Sequence, residues 1–246
     1  MSAGTKEGNF IMNVVSIMAH QDDEMMCLGT MLRCQARGDK LFFITLTDGS
    51  GGFVQQPDLP RAEAAGIRHA EMSNLAREAG AEFINLRELD EFLYDTAEIR
   101  FKLVDAIRRC GADLVFTHYQ KDYNLDLTTT HMLVRHCAMH SCLPVMPTAS
   151  KPLGAHPAVF QVEPIGPFDF VPTHYVDITG VMARKTSLLA KHASQEEALK
   201  RGIGVGLGEY TTLTSRFRGN QTGVTHAEAF VPMDARGAVK AFSVLP

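Results

Sequence analysis

The chain has 246 residues, 45% of them hydrophobic, and a formal net charge of −4. This length and composition allow one full core, so a single domain over residues 1–246 is predicted. The lysines and arginines are dispersed without a basic patch, which argues against nucleic acid as a partner. The five cysteines form no Cys-x-x-Cys pair, and the sequence shows neither a signal peptide nor a membrane span. Free thiols and a cytoplasmic location are therefore expected.

The first predicted strand ends in a cluster of ionisable residues. The apolar run 14–19 has the length of a buried strand and is followed by His20, Asp22 and Asp23. In an open α/β sheet, the turn after a strand lies at the edge where ligands bind. His20 and Asp23 are ligand types suited to a catalytic zinc ion, which leaves Asp22 free to accept a proton from water. An acid that only caps the next helix is the alternative, although it explains one carboxylate rather than the whole cluster.

Short apolar runs alternate with amphipathic stretches along most of the chain. Strands are predicted at 40–47, 82–86, 113–117, 172–179 and 227–231, and helices at 24–37, 61–79, 96–109 and 180–201. The proline-rich region 144–172 is expected to be irregular, and the glycine-rich stretch 202–208 to be a linker. This alternation predicts an α/β fold, a Rossmann-like, mostly parallel sheet with helices on both faces, followed by an irregular or strand-containing C-terminal cap.

Residues 19–24 read Ala-His-Gln-Asp-Asp-Glu. This segment resembles the Ala-His-Pro-Asp-Asp-Glu signature of the zinc-dependent LmbE-like/PIG-L de-N-acetylases (N-acetylglucosaminyl deacetylases), with Gln21 in place of proline. Further segments that are similar to family motifs lie at 175–179, 185–195 and 227–230, together with the pair Arg68 and Glu71. The resemblance implies that His20 and Asp23 hold zinc, or another divalent metal, and that Asp22 is the general base.

The second metal motif of that family is altered in this chain. Asn124 and Leu127 stand where the family has two histidines, and a leucine cannot coordinate a metal. His131, one helical turn beyond Leu127, is predicted to replace the lost ligand. Two alternatives stay open: Asp126 or His118 completes the site, or there is no third ligand.

The resemblance implies a hydrolase that removes an N-acetyl or related acyl group from a small-molecule glycoside or amino-sugar conjugate. Predicted substrate contacts are Arg68, Asp90, Asn124 and His226. Asn124 can donate a hydrogen bond to an oxyanion but cannot deliver a proton, a role for which His226 is the candidate. For Arg68, a helix-surface salt bridge with Glu71 is an equally good interpretation.

Two other functions fit the same sequence. The replacements at Asn124 and Leu127 favour a catalytically impaired carbohydrate-binding or regulatory relative of the enzymes. An amidase that acts on a non-sugar amide is the other alternative, because a fold does not determine a substrate. Members of the family often associate, so a homo-oligomer is compatible with the sequence.

Overall fold

A computed structural model of the protein describes residues 11–166 and 168–233. The other residues of the predicted domain, 1–10, 167 and 234–246, lie outside the described residues. The strands are β1 (Asn13–Met18), β2 (Lys40–Thr47), β3 (Glu82–Glu88), β4 (Leu114–Thr117), β5 (Ala158–Val162), β6 (His174–Asp177) and β7 (Ala227–Pro232). The helices are α1 (Leu28–Arg37), α2 (Arg61–Ala79), α3 (Ala97–Cys110), α4 (Leu125–His140), α5 (Met182–Leu189), α6 (Ala193–Ile203) and α7 (Leu207–Thr222).

The described strands form one seven-stranded sheet in the order β3-β2-β1-β4-β5-β7-β6. Strands β1 to β5 pair in parallel, and β7 runs antiparallel to both β5 and β6. The first strand lies inside the sheet, where Val14 faces Leu41 on one side and Leu114 on the other. The predicted α/β class, with its mostly parallel sheet, is confirmed.

Side chains that alternate along β1 supply two hydrophobic clusters, one on each face of the sheet. Val14 and Met18 belong to a cluster with residues of α1 and α2, such as Met31 and Leu75. Val15 and Ile17 belong to a second cluster with residues of α3 and α4, such as Leu103 and Leu133. Helices therefore cover both faces, and the edge at which the parallel strands end is left for a site.

The C-terminal half differs from its prediction in three places. Region 144–172, predicted to be irregular, contains β5, a run of only five residues that joins the sheet next to β4. The helix predicted at 180–201 is interrupted and forms α5 and α6. The predicted linker 202–208 already contains the start of α7. Strands β6 and β7 extend the same sheet.

All five cysteines are free, as the sequence predicted, and four of them are buried. None of the helices in the described part of the chain combines the length and the apolar character that a transmembrane helix needs.

Candidate active site

Three parallel strands bring their ends together around Ala19, the residue after β1. The carbonyl of Ala19 accepts a hydrogen bond from the backbone N–H of Thr47 at the end of β2 (3.0 Å). The N–H of Ala19 donates to Nε2 of His118, which follows β4 (2.9 Å). These contacts fix the turn that presents His20 and the acids after it.

Asp22 adopts a backbone conformation that is rare for a residue with a side chain. Its φ is 120° and its ψ −22°, so the surrounding contacts must hold it in place. The N–H of Asp22 donates to Oε2 of Glu24 (2.9 Å), and Nη2 of Arg68 donates to Oδ1 of Asp22 (2.7 Å) and to the carbonyl of Gln21. Asp22 makes no side-chain cap to the 3₁₀ turn Asp23–Met26 that follows it, so the capping alternative does not describe this carboxylate.

Burial and charge act in opposite directions on Asp22. Burial raises the pKa of its carboxyl to about 6, although the Arg68 guanidinium lowers it. The predicted salt bridge between Arg68 and Glu71 is present at 3.7 Å, but Arg68 is 1% exposed, so the pair is buried and does not lie on the helix surface. A carboxylate held by a buried arginine keeps a fixed orientation, as an acid–base group requires.

His20 is surrounded by carboxylates from three parts of the chain. Its Nδ1 lies 3.3 Å from Oδ2 of Asp23, and its Nε2 lies 3.0 Å from Oδ1 of Asp90 and 3.5 Å from Oδ2 of Asp126. Burial alone would lower the pKa of His20, but the three carboxylates raise it well above its usual value. The same negative potential would attract a cation.

The carboxylate of Asp23 contacts both His20 and His118. Its Oδ2 accepts a hydrogen bond from the backbone N–H of His20 (2.8 Å) and lies 3.3 Å from Nε2 of His118. Burial would raise the pKa of Asp23, yet His118 and His20 hold it well below its ordinary value. The carboxylate is therefore ionised, as a metal ligand must be.

The glycine-rich loop after β2 positions Asp90. The N–H of Gly51 donates to Oδ2 of Asp90 (2.7 Å), and Oδ1 of Asp48 accepts from the N–H of Ser50 (2.9 Å). Gly49 has a φ of +72°, and a Cβ atom there would lie 2.2 Å from Oε1 of Gln21. A larger residue at position 49 would therefore collide with the turn that carries the acids.

Asp126 ties α4 to the loop after β3. Its two carboxylate oxygens accept hydrogen bonds from the N–H groups of Glu91 (2.8 Å) and Leu93 (3.0 Å). Asn124 caps α4 by accepting from the N–H of Asp126 (2.7 Å), and it donates to Oε1 of Glu91 (3.1 Å). Leu127, at the position of the family's histidine ligand, is 6% exposed.

A cavity of about 530 Å³ opens over these residues. Six of the eight residues predicted for the site line it: His20, Asp22, Asp23, Arg68, Asp90 and Asn124. His131 and His226 are not among its described lining residues. Nδ1 of His131 lies 3.1 Å from the carbonyl oxygen of His118, and burial lowers the pKa of His131. Nδ1 of His226 lies 3.0 Å from the hydroxyl of Ser215.

The described residues contain one group of three potential ligand atoms that all lie within 4.8 Å of one another, from His20, Asp90 and Glu91. Nε2 of His20 and Oδ1 of Asp90 are both buried and form an ion pair in which the two atoms lie 3.0 Å apart. Two potential metal-ligand atoms that face each other in this way could bind the same cation. The ligand role of His131 stays a prediction, and Asp90 is better placed in this structure.

Sequence reasoning missed three polar side chains that line the cavity: Glu91, Tyr123 and Gln195. Glu91 directly follows Asp90, and Tyr123 lies inside the altered second motif, so their positions offered a signal. Gln195 lies in the segment 185–195, whose resemblance carried no assigned role. Its Nε2 donates to the carbonyl of Gly52 in the loop after β2 (3.2 Å).

Two side chains of the same C-terminal segment, His192 and Ser194, form hydrogen bonds with acidic residues next to the site. Nε2 of His192 lies 2.8 Å from Oε1 of Glu24, and both side chains are buried. The N–H and hydroxyl of Ser194 donate to the carboxylate of Glu71 (2.9 and 2.7 Å). Glu24 therefore links His192 to the backbone of Asp22, which has the unusual φ.

Fold and site together define an α/β protein whose carboxylate- and histidine-rich centre lies where parallel strands end. The family model for GlcNAc-PI de-N-acetylase (PIG-L) matches residues 15–140. The chain belongs to this family, which confirms the resemblance seen in segment 19–24. A comparison with curated proteins finds no match.

Solved structures share the fold over nearly the whole chain. The conserved protein TT1542 from Thermus thermophilus is 25% identical, with 95% of this chain and 100% of that chain covered and a TM-score of 0.76. The N,N′-diacetylchitobiose deacetylase from Pyrococcus horikoshii is 23% identical, with 89% and 83% covered and a TM-score of 0.76. GalB, a 4-carboxy-2-hydroxymuconate hydratase from Pseudomonas putida, is 20% identical, with 93% and 99% covered and a TM-score of 0.76.

Proposed function

We propose that this protein is a metal-dependent hydrolase that removes an N-acetyl or related acyl group from an amino-sugar conjugate. Membership of a de-N-acetylase family supports this proposal. The observation that carries it is the convergence of His20, Asp22 and Asp23 on one cavity with Asp90 from a different strand end. The free cysteines are compatible with a cytoplasmic location.

The donor atoms suit a divalent cation such as zinc. His20 and Asp23 are the ligands that the signature implies, and Asp90 and Glu91 are those that the geometry adds. Imidazole and carboxylate groups are usual zinc ligands. When bound, the cation would polarise the amide carbonyl and make water more nucleophilic.

Asp22 is the proposed general base. Its contact with Arg68 fixes the carboxylate at the cavity, and the bond from its N–H to Glu24 holds the turn. The carboxylate would accept the proton of the attacking water and pass it to the amine that leaves when the C–N bond breaks. Every atom of the hydrolysis is thereby accounted for: the acyl carbon gains the hydroxyl oxygen, and the amine gains the proton.

Arg68, Asp90 and Asn124 are proposed to position the substrate. Arg68 lines the cavity and its Nη2 donates to Asp22, which places the guanidinium beside the proposed position of the substrate. The amide of Asn124 is engaged with Glu91 and could turn towards a developing oxyanion. His226 is proposed as a proton donor only on the resemblance, because its described contacts are with Ser215 and the segment around Thr179.

The test is the release of acetate from methyl N-acetylglucosaminide by purified enzyme with zinc. Asp22→Asn is expected to lower kcat by about 10²- to 10⁴-fold, because the base is lost while the ligands remain. Asp58→Asn, which changes an exposed loop acid, is the matched control and should keep full activity. Stoichiometric zinc without cleavage of any amino-sugar amide would disprove the substrate class.

A carbohydrate-binding protein without catalysis is the second candidate function. Leu127 favours it, because a buried leucine occupies the position of a metal ligand. Such a protein would bind amino sugars with the same affinity in wild type and Asp22→Asn, and would release no acetate from either. The GalB structure also illustrates that one fold supports different reactions.

A further inference from the structure

Two sets of polar contacts connect the start of α6 with Asp22. In the first set, Nε2 of His192 lies 2.8 Å from Oε1 of Glu24, and Oε2 of Glu24 accepts a hydrogen bond from the N–H of Asp22 (2.9 Å). This set ends at the backbone of the residue whose φ is 120°. His192 is fully buried and Glu24 is 1% exposed, so water does not compete for these bonds.

The second set begins at Ser194 and ends at the carboxylate of Asp22. The N–H and hydroxyl of Ser194 donate to the two carboxylate oxygens of Glu71 (2.9 and 2.7 Å). The same carboxylate lies 3.7 Å from Nη1 of Arg68, and Nη2 of Arg68 donates to Oδ1 of Asp22 (2.7 Å). Glu71 therefore offsets the buried charge of Arg68 and restrains the guanidinium that holds Asp22.

The first turn of α6 fixes His192 and Ser194 relative to each other. The carbonyl of His192 accepts a hydrogen bond from the N–H of Glu196 (3.0 Å). The N–H of Ser194 lies among the first N–H groups of the helix, which have no acceptor within the helix, and it binds the carboxylate of Glu71 instead. A movement of this helix start would therefore shift both supports of Asp22 together.

The two sets of contacts pass through different parts of the fold and meet at one residue. Glu24 belongs to the 3₁₀ turn after β1, whereas Arg68 and Glu71 belong to α2. Apolar contacts would be enough to attach α6 to the protein, because buried ionisable groups are costly. Both sets end instead at the side chain that is proposed to transfer the proton.

The next residue of α6 contacts a further part of the site. Nε2 of Gln195 donates to the carbonyl of Gly52 (3.2 Å), and a Cβ atom at Gly52 would lie 2.8 Å from that nitrogen. In the same loop, the N–H of Gly51 donates to Asp90 (2.7 Å). The start of α6 thus packs against the loop that positions Asp90 as well as supporting Asp22.

We propose that His192 and Ser194 are positioning residues for the general base Asp22. His192 fixes the backbone of the base, and Ser194 fixes its carboxylate. Neither residue is among the described residues that line the cavity, so both act through the side chains between them and Asp22. The proposal rests on the proposed function, in which Asp22 is the base.

His192 acts through its Nε2 atom. Within the described chain, its Nδ1 is buried and has no hydrogen-bond partner. The amide of a glutamine can donate a hydrogen bond from a similar position, so His192→Gln keeps a donor to Glu24 whereas His192→Ala removes it.

Hydrolysis of methyl N-acetylglucosaminide measures the effect on catalysis. His192→Ala is expected to lower kcat about 100-fold, which is the effect of misplacing a reacting group by roughly 1 Å, and to leave KM unchanged. His192→Gln should recover most of this loss. Ser194→Ala keeps the N–H bond to Glu71 but loses the hydroxyl bond, and it should lower kcat by about 3- to 10-fold at unchanged KM.

Two controls separate positioning from a general loss of stability. Leu103→Ala opens a cavity in the hydrophobic cluster on the other face of the sheet, and it should lower Tm while kcat keeps its wild-type value. Lys191 precedes His192 but pairs with Glu78 (2.7 Å) and belongs to neither set of contacts. Lys191→Ala should therefore leave kcat and KM unchanged.

Amide hydrogen exchange, followed by NMR, tests the geometry without catalysis. In His192→Ala, the N–H of Asp22 should exchange at least about 10-fold faster relative to the N–H of Ile17 in β1, because the accepting carboxylate of Glu24 is no longer held. In Leu103→Ala this ratio should keep its wild-type value.

A wild-type kcat in either His192→Ala or Ser194→Ala overturns the proposal, and so does an exchange ratio that is the same in His192→Ala as in Leu103→Ala. If the wild type hydrolyses no amide, the proposed function fails, and the exchange ratio alone decides the positioning role. If His192→Ala does not fold, the kcat of Ser194→Ala decides it.

Discussion

Asp22 shows how a single residue is held in an unfavourable conformation by its neighbours. A φ of 120° costs a residue with a side chain on the order of 1–3 kcal/mol. Arg68 holds the side chain of Asp22, and Glu24 holds its N–H. Such a conformation persists at sites where geometry matters more than local stability.

At the same scale, substitutions at Asp90 and at His131 are expected to have opposite effects on cation binding. Asp90→Asn should weaken zinc binding at least about 10-fold, the lower end of what even the loss of an outer-shell partner costs. His131→Ala should leave the affinity nearly unchanged, because His131 is not among the described residues that line the cavity. Competition with a chromophoric chelator measures both.

The reverse result would restore the sequence-based assignment. Loss of zinc in His131→Ala with retention in Asp90→Asn would mean that the helix carrying His131 shifts when the metal binds. Asp126→Asn is a useful third variant, because Oδ2 of Asp126 lies 3.5 Å from Nε2 of His20.

The sequence predicted some site residues well and others poorly, for physical reasons. His20, Asp22 and Asp23 are adjacent in the chain, so one turn brings them to the cavity. Asp90 was predicted as a substrate contact, but its approach to His20 depends on the path of the loop after β3. Gln195 was given no role, because only the packing of α6 brings it to Gly52.

At the scale of elements, α1 is anchored by a charge from the far end of the chain. The carboxylate of Glu228, in β7, accepts hydrogen bonds from the N–H groups of Gly29 (2.8 Å) and Thr30 (2.6 Å) at the start of α1. Nζ of Lys185, in α5, lies 2.8 Å from the same carboxylate, and both side chains are buried. One carboxylate thus joins a helix start, a second helix and a strand.

Glu228→Gln should lower the free energy of unfolding by about 3–5 kcal/mol, because it leaves the buried ammonium of Lys185 without a counter-charge. Urea denaturation measures the change. Glu78→Gln is the control: it removes the exposed partner of Lys191 (2.7 Å) and should cost no more than about 1 kcal/mol. Equal losses in the two variants would contradict this account of the buried pair.

Elements were predictable where their pattern is local. The helix at 61–79 and the strand at 40–47 have the predicted bounds. Helix α7 was missed because four of its five buried residues, Thr211, Ser215, Arg218 and Gly219, are not hydrophobic. Strand β5 was missed because five residues among prolines resemble a loop until β4 provides a pairing edge.

For the whole molecule, a bound cation should connect parts of the fold that are distant in sequence. His20 and Asp23 follow β1, while Asp90 follows β3. A cation that binds only the folded chain, at 100 times its Kd, stabilises it by about 2.7 kcal/mol. For a chain of this size, we expect Tm to rise by about 5–10 °C.

Thermal unfolding with and without zinc tests this expectation. A chelator should reverse the shift, and His20→Ala should abolish it. A shift of the same size in His20→Ala would place the cation elsewhere on the protein.

The pairing of Glu24 with His192 restricts how this chain can be recombined with its relatives. A hybrid joined between α4 and β5 takes Glu24 from one parent and His192 from the other, whereas Lys185 and Glu228 both lie after the junction and stay together. Where the parents differ at these positions, the hybrid buries an orphan charge and distorts the turn at Asp22. Shuffling for new specificity should therefore move the C-terminal third together with the signature, or confine exchange to the α6 side chains that line the cavity.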